Sequence, residues 1–218
     1  MIYKKYNFFS SYERILLLAP HPDDEIFSCG GLLGKIMGNN DKMINVIYIS
    51  DGGKGHPEWT ISSNMVLQRK NEANSVMNRL GINRYGFWNY PDGELEKYQS
   101  YIEHKLRDTI NKITPEIVLC PHKQDEHPDH IATAKALKNI LKEYKKILYI
   151  GYEMWKKIQQ PNLYVTLSKK EIEQKLQCVE IYKSQLQIFD YRSLLIKSMQ
   201  QRGDEINEDY AEAFIAYF

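Results

Sequence analysis

The chain of 218 residues has little cysteine, no long apolar run and no surplus of either charge. Each absence removes a class of protein. Three cysteines, Cys29, Cys120 and Cys178, are too few and too scattered for a disulfide framework or a four-cysteine zinc site, and they fit a reducing compartment. Lys+Arg 29 against Asp+Glu 28 leaves a formal charge of +1. That balance removes the electrostatic case for a dedicated nucleic-acid binder and for a polybasic membrane anchor. The opening MIYKKYNFFSSYER carries lysines with no apolar stretch behind them. The first apolar run, Ile15 to Ala19, is too short for a signal peptide or a membrane span, so the sequence predicts a cytoplasmic protein without a stable membrane anchor. At 43% hydrophobic and 26% charged residues the composition is that of a soluble globular protein. A chain of this size buries about 70% of its unfolded surface and needs no staples.

What is present is an alternation of strands and helices. Short apolar runs at Arg14 to Pro20, Ile44 to Ser50, Tyr85 to Tyr90, Glu116 to His122, Lys146 to Tyr152 and Leu163 to Leu167 read as strands. Helical spacing appears in Ser62 to Leu80, Gln99 to Ile113 and Asp129 to Tyr144. Ser168 with Glu171 makes a capping box for a helix through about Gln185, and a further helix, about Tyr191 to Gln201, is expected to stop at Gly203. The expected fold is α/β: a Rossmann-like three-layer sandwich with a mostly parallel sheet, in one domain over residues 1–218. In such folds ligands sit at the carboxyl ends of the strands.

Two of those ends are rich in His and Asp. The first strand runs into Pro20-His21-Pro22-Asp23-Asp24-Glu25, and the fourth into Pro121-His122 and then Asp125-Glu126-His127-Pro128-Asp129-His130. Neighbouring strands of one sheet would bring the two segments together. Imidazole nitrogen and carboxylate oxygen are good zinc ligands, and a catalytic zinc needs only three from the protein. His21 and Asp24 are spaced i, i+3, as are His127 and His130, so each pair can point one way from a helical turn. These four exceed the three ligands required, which leaves a surplus His, with Asp23, as acid and base. The plain alternatives are that Asp23 and Asp129 merely cap helices and that the His–Asp pairs are hydrogen-bonded turns.

The segments LLLAPHPDDEIFSCGGLL and DEHPDHIATAKAL resemble the LmbE-like, or PIG-L-type, N-acetylglucosaminyl deacetylases. Asp51-Gly52-Gly53, Arg69 with Glu72, Tyr90-Pro91-Asp92-Gly93, Ser184-Gln185 and Ala211-Glu212-Ala213-Phe214 extend the likeness over about residues 12 to 214. The resemblance implies an LmbE-like deacetylase domain that binds Zn2+ through His21, Asp24 and His130. It implies Asp23 as general base, His127 as the group that stabilises the oxyanion or protonates the leaving amine, and Asp129 as the residue that orients and charge-tunes His127. Arg69 and Asp92 would contact sugar hydroxyls; from the residues alone Arg69 reads as a solvated helix charge and Asp92 as a turn residue. The partner implied is a small-molecule amino sugar or its conjugate, which would lose its acetyl group as acetate. The sequence leaves a homo-oligomer open.

Two rivals are weighed against this reading. A metal-dependent glycosyltransferase would leave His21, His127 and His130 without a task, and a non-catalytic metal- or sugar-binding protein would need no base at Asp23. Gly30-Gly31-Leu32-Leu33-Gly34 lacks the dinucleotide-loop spacing and reads as close helix packing. Cys120 is expected to be a small buried residue, and His56 and His122 exposed loop residues. Trp59, Trp88, Tyr90 and Trp155 are expected near the cleft, as sugar-stacking or core groups. The loop Lys54 to Ser63 and the segment Met154 to Leu163 are expected to shape substrate choice.

Overall fold

A computed structural model describes residues 7–38, 42–55, 63–187 and 189–217. In chain order these form α1 (Asn7–Ser10), β1 (Arg14–Ala19), α2 (Asp24–Met37), β2 (Met43–Ser50), α3 (Ser63–Leu80), β3 (Tyr85–Tyr90), α4 (Gln99–Ile113), β4 (Ile117–Pro121), α5 (Pro128–Leu141), β5 (Leu148–Tyr152), β6 (Leu163–Thr166), α6 (Lys169–Val179), α7 (Lys183–Leu186), α8 (Tyr191–Asp204) and β7 (Ala211–Tyr217). The strands make one seven-stranded sheet in the order β3-β2-β1-β4-β5-β7-β6. β1 to β5 pair in parallel, and β7 runs antiparallel to both β5 and β6.

Burial explains why the central strands are nearly continuous apolar runs. Along β1, Ile15, Leu17 and Ala19 face a core shared with α2, α3, α6 and α8, whereas Leu16 and Leu18 face a second core shared with α4 and α5. Both faces of the strand are covered, so every position is apolar. Among the described residues no helix is long and apolar enough to cross a membrane.

Three sequence expectations change. The helix capped by the Ser168–Glu171 box ends at Val179 rather than near Gln185. The turn that follows carries Tyr182 and Ser184 onto Glu25 and Glu72 respectively, contacts a straight helix would not reach. α8 continues through Gly203 to Asp204. That glycine is a point of close approach, since a Cβ there would lie 2.5 Å from Glu208 O. β7, which the pattern AEAFIAY did not announce as a strand, slots between β5 and β6.

β7 also supports α2. Glu212 accepts the N–H groups of Gly31 (2.7 Å) and Leu32 (2.8 Å), and Lys175 Nζ donates to Glu212 Oε1 (2.7 Å) and to Phe27 O (2.8 Å). The buried ion pair therefore also binds backbone groups in the middle of α2, each half of the pair meeting a backbone partner as well as its counterion. Gly31 packs closely: a Cβ would lie 2.5 Å from Leu167 Cδ2, so that side chain would have to shift to admit one. The expected close packing of the Gly30-Gly31 stretch is what the structure has.

Candidate active site

The direction of strand addition reverses between β1 and β4, so their carboxyl ends flank a crevice. His21 to Glu25 leave β1 into α2, and Asp125 to His130 leave β4 into α5. The two segments meet there, as the sequence predicted. Asp24 Oδ2 lies 3.3 Å from His21 Nδ1 and 3.2 Å from His130 Nε2. Both histidines and the carboxylate are buried.

Each imidazole is backed on its far side by carboxylate. His21 Nε2 is 3.1 Å from Asp92 Oδ1 and 3.1 Å from Asp129 Oδ2, and His130 Nδ1 is 3.4 Å from Asp125 Oδ2. Burial disfavours a positive charge on these rings, yet Asp129, Asp24 and Asp92 raise His21 well above its ordinary pKa. In the same way Asp24 and Asp125 raise His130 to about 9 against burial. Burial would raise Asp24, but His130 and His21 hold it far below the usual carboxylate range.

Two edges of a His21–Asp24–His130 donor set have lengths suited to a metal ion. Asp24 Oδ2 faces the two ring nitrogens at roughly the 3.3 Å that separates ligands around a tetrahedral zinc with bonds of about 2.0–2.1 Å. Neither ring nitrogen of His130 is in hydrogen-bond alignment with a partner, although both face carboxylates. Atoms held together without mutual hydrogen bonds are what a shared cation needs. The carboxylates behind the rings stand where partners that orient metal-binding histidines stand. Among the described residues His21, His127 and His130 bring ligand atoms within 4.8 Å of one another, as do His21, Asp92 and Asp129.

Asp23 is built differently. It has φ 127° and ψ −30°, a conformation that costs about 1–3 kcal/mol outside glycine. Its polar groups are tied on several sides. The N–H donates to Glu25 Oε2 (3.1 Å), the carbonyl accepts from Ile26 and Phe27, and Oδ2 accepts from Arg69 Nη2 (2.8 Å). It stands at the N-cap of α2 but makes no side-chain cap bond, so capping does not explain it. Burial pushes its carboxyl up to about 7, with Arg69 pulling the other way.

His127 is the N-cap of α5, with Pro128 behind it. Its Nδ1 accepts the backbone N–H of Asp129 at 3.2 Å, which leaves Nε2 to carry the proton of the neutral ring. Burial, then the charges of His21 and His130, lower its pKa to about 4. The Asp129 carboxylate, expected to orient His127, contacts His21 instead and accepts the N–H groups of Gly93 (2.7 Å) and Leu95 (3.1 Å). It reaches His127 only through its backbone N–H and its field.

Arg69 is buried, not a solvated charge. Besides Asp23 it donates to Pro22 O (2.6 Å) and Gly52 O (3.1 Å). Asp92 accepts the N–H of Lys54 and sits 3.9 Å from Arg69. Gly52 and Gly93 have φ of 67° and 75°, and these left-handed turns bring the loops after β2 and β3 over the crevice. The Arg69–Glu72 pair divides its work: Glu72 accepts from Ser184 Oγ (2.6 Å) and Ser184 N (3.0 Å). His122 is buried rather than exposed, with Nε2 on Lys156 O at 2.8 Å. Cys120 is buried. Trp155 is 48% exposed and stacks on His127 with centroids 5.5 Å apart. Trp88 and Tyr90 sit under Lys105 instead. His56, Trp59 and the loop from residue 56 to 62 lie outside the described residues. Glu25 and Tyr182 were missed as a pair. Glu25, next to Asp24, accepts the Tyr182 hydroxyl at 2.6 Å across 157 residues, a separation that no local pattern reveals.

The crevice opens into a cavity of about 200 Å³ lined by His21, Asp23, Asp24, Arg69, Asp92 and His127 among others. Comparison with known proteins adds context. The PIG-L family, described as GlcNAc-PI de-N-acetylase, matches residues 16–141. Diacetylchitobiose deacetylase of Thermococcus kodakarensis is 30% identical over 128 residues, 56% of this chain and 46% of that protein. A probable N-acetyl-alpha-D-glucosaminyl L-malate deacetylase 2 of Bacillus subtilis is 28% identical over 62% of this chain and 63% of its own length. The matches thus span about half to three fifths of these curated relatives. The structure of N,N'-diacetylchitobiose deacetylase from Pyrococcus horikoshii superposes with a TM-score of 0.83 at 22% identity, covering 97% of this chain and 86% of that one.

Proposed function

Because this chain belongs to the PIG-L family, we propose that it is a zinc-dependent deacetylase that removes the acetyl group of an N-acetylated amino sugar or its conjugate. The observation that supports this most is the juxtaposition of an unusual carboxylate, Asp23, with a ready-made cation site. We assign His21, Asp24 and His130 as the metal ligands. His127 is left out because Asp129 N–H occupies its Nδ1 and its ring lies at the mouth against Trp155. When bound there, zinc supplies Lewis acidity to the amide carbonyl and acidifies water beside it.

The protein's own groups complete the chemistry. Asp23, with a pKa near 7, takes a proton from the attacking water at neutral pH and returns it to the departing nitrogen. Its strained backbone and the Arg69 clamp fix the carboxylate toward the cavity. His127, neutral at that pH, donates from Nε2 to the oxyanion as the carbonyl carbon becomes tetrahedral. Of its two expected roles this favours oxyanion stabilisation over protonation of the amine. The products are acetate and a free amine. Asp129 and Asp92 serve by orienting His21, and Arg69 by holding Asp23. The described chain works in this reading as one deacetylase domain, in the cytoplasm, where its buried thiols stay reduced.

The test is acetate release from N-acetyl amino sugars with varied aglycones by the zinc-loaded protein. Release that depends on the metal and on Asp23 is the expected result. Full metal occupancy with no acetate from any member of the panel would defeat the reading.

A further inference from the structure

A second cavity, of about 480 Å³, lies beside the crevice between α8 and the segment after β5. It shares Met154, Trp155 and Tyr191 with the catalytic cavity, so the two are neighbours across one wall. The catalytic cavity, at about 200 Å³, is smaller than the about 300–1,000 Å³ of sites that enclose a whole drug-sized ligand. A sugar conjugate filling it must send its remaining atoms elsewhere.

The second cavity has features of a binding site rather than a packing gap. Its walls include Phe27, which meets Tyr191 with ring centroids 4.8 Å apart, and Leu194, 50% exposed although large and apolar. Ser28 lines it, is 91% buried, and its Oγ has no hydrogen-bond partner among the described residues. A buried hydroxyl without a partner is costly, and a ligand atom would relieve it. The acidic residues of the lining are matched: Glu153 by Arg202 and Glu212 by Lys175. Lys157 donates to Gln201 and lies in the field of Glu205, which is outside the lining, whereas Lys197 makes no ion pair among the described residues; the lining's cations, Lys157, Lys175, Lys197 and Arg202, outnumber its carboxylates.

Resting on the deacetylase reading, we propose that this cavity is the aglycone subsite. It takes an apolar, preferably aromatic, group that carries an acidic substituent and is joined to the amino sugar past Trp155 and Tyr191. The ring lies against Leu194 and the Phe27–Tyr191 pair, a polar atom meets Ser28 Oγ, and the acid faces Lys157 and Lys197.

The experiment compares methyl, phenyl and 4-carboxyphenyl glycosides of N-acetylglucosamine, in both anomeric forms, as acetate donors to the zinc-loaded protein. In parallel, the de-acetylated 4-carboxyphenyl glycoside is titrated calorimetrically, which requires no turnover. The expected order of kcat/KM is 4-carboxyphenyl, phenyl, methyl, spanning about tenfold. Leu194→Asp and Lys197→Glu, both at exposed positions, should collapse that ratio and weaken the titrated binding. Ser28→Ala should lower the 4-carboxyphenyl preference severalfold. Equal kcat/KM across the three glycosides, with a ratio insensitive to these variants, overturns the subsite and leaves deacetylation standing. Binding that is sensitive to Leu194 and Lys197 without acetate release supports the subsite and defeats the reaction. Neither binding nor release overturns both.

Discussion

The tripeptide His-Pro-Asp occurs twice, as His21-Pro22-Asp23 and as His127-Pro128-Asp129, and the two copies are built in opposite ways. In the first, the histidine is buried among carboxylates that pull its pKa up, and the aspartate sits strained at φ 127° with its carboxyl pushed up to about 7. In the second, the histidine is half-buried, with its pKa lowered to about 4. The aspartate there lies relaxed inside the helix. Burial works against its charge, but His21 and two backbone N–H groups hold it below the usual carboxylate range. In the proposed reaction the same residues would thus serve as metal ligand and base in one place, and as neutral donor and supporting anion in the other. Helix entry makes the difference. Asp23 is the N-cap of α2, whereas His127 takes that position in α5 and moves Asp129 two residues inward.

That contrast yields ordered expectations. The largest effect separates the histidines. His21→Ala should strip the metal and lower activity by ~10³-fold or more, since several kcal/mol of charge stabilisation leave with it. His127→Ala should keep the metal and lower kcat by ~10²–10³-fold. Elemental analysis of the two variants decides, and equal metal content would erase the distinction. Next come the aspartates. Asp23→Asn should lower kcat ~10²–10⁴-fold at unchanged metal affinity. Asp129→Asn should weaken metal affinity ~10–100-fold and recover much of its kcat when metal is in excess. If excess metal rescues the Asp23 variant as well, the assignment of the base is wrong.

A smaller effect tests the clamp. Arg69 lowers the pKa of Asp23 against burial, so Arg69→Gln raises it above about 7, and the acid limb of kcat/KM moves to higher pH. A limb that stays in place would show that another group titrates. The smallest concerns Tyr182, whose hydroxyl steadies Glu25 and, through it, the Asp23 backbone. Tyr182→Phe should lower kcat by about threefold to tenfold with KM and metal content unchanged, about the weight of one neutral hydrogen bond. An equal change in KM would point to a general loosening.

Much of this was legible because the informative groups are close in sequence. Apolar runs marked β1 to β6, and two His/Asp clusters at strand ends announced where chemistry would sit. What escaped depends on distant partners. Leu67, an apolar residue of the helical stretch Ser62 to Leu80, is 60% exposed, since α3 meets the core through Ala73, Val76 and Met77. Arg69 looks like any surface arginine until the β1 and β2 loops close around it. Asp129 looked like the neighbour of His127, but its side chain points across the crevice to His21, which β1 supplies. β7 escaped because Ala-Glu-Ala suits a helix as well as a strand, and its buried glutamate makes sense only beside α2.

The hold of Glu212 on α2 has a consequence in time. The helix that begins with Asp24 gains its side-chain support at Gly31 and Leu32 only when a strand residue 181 positions downstream of Gly31 has docked. Contacts of such long span close late in folding. A chain whose β1, β2 and β4 have already paired would therefore hold the histidines near one another while the middle of α2 is still unsupported. The hold of β7 on the middle of α2 would then be among the last long-range contacts to form.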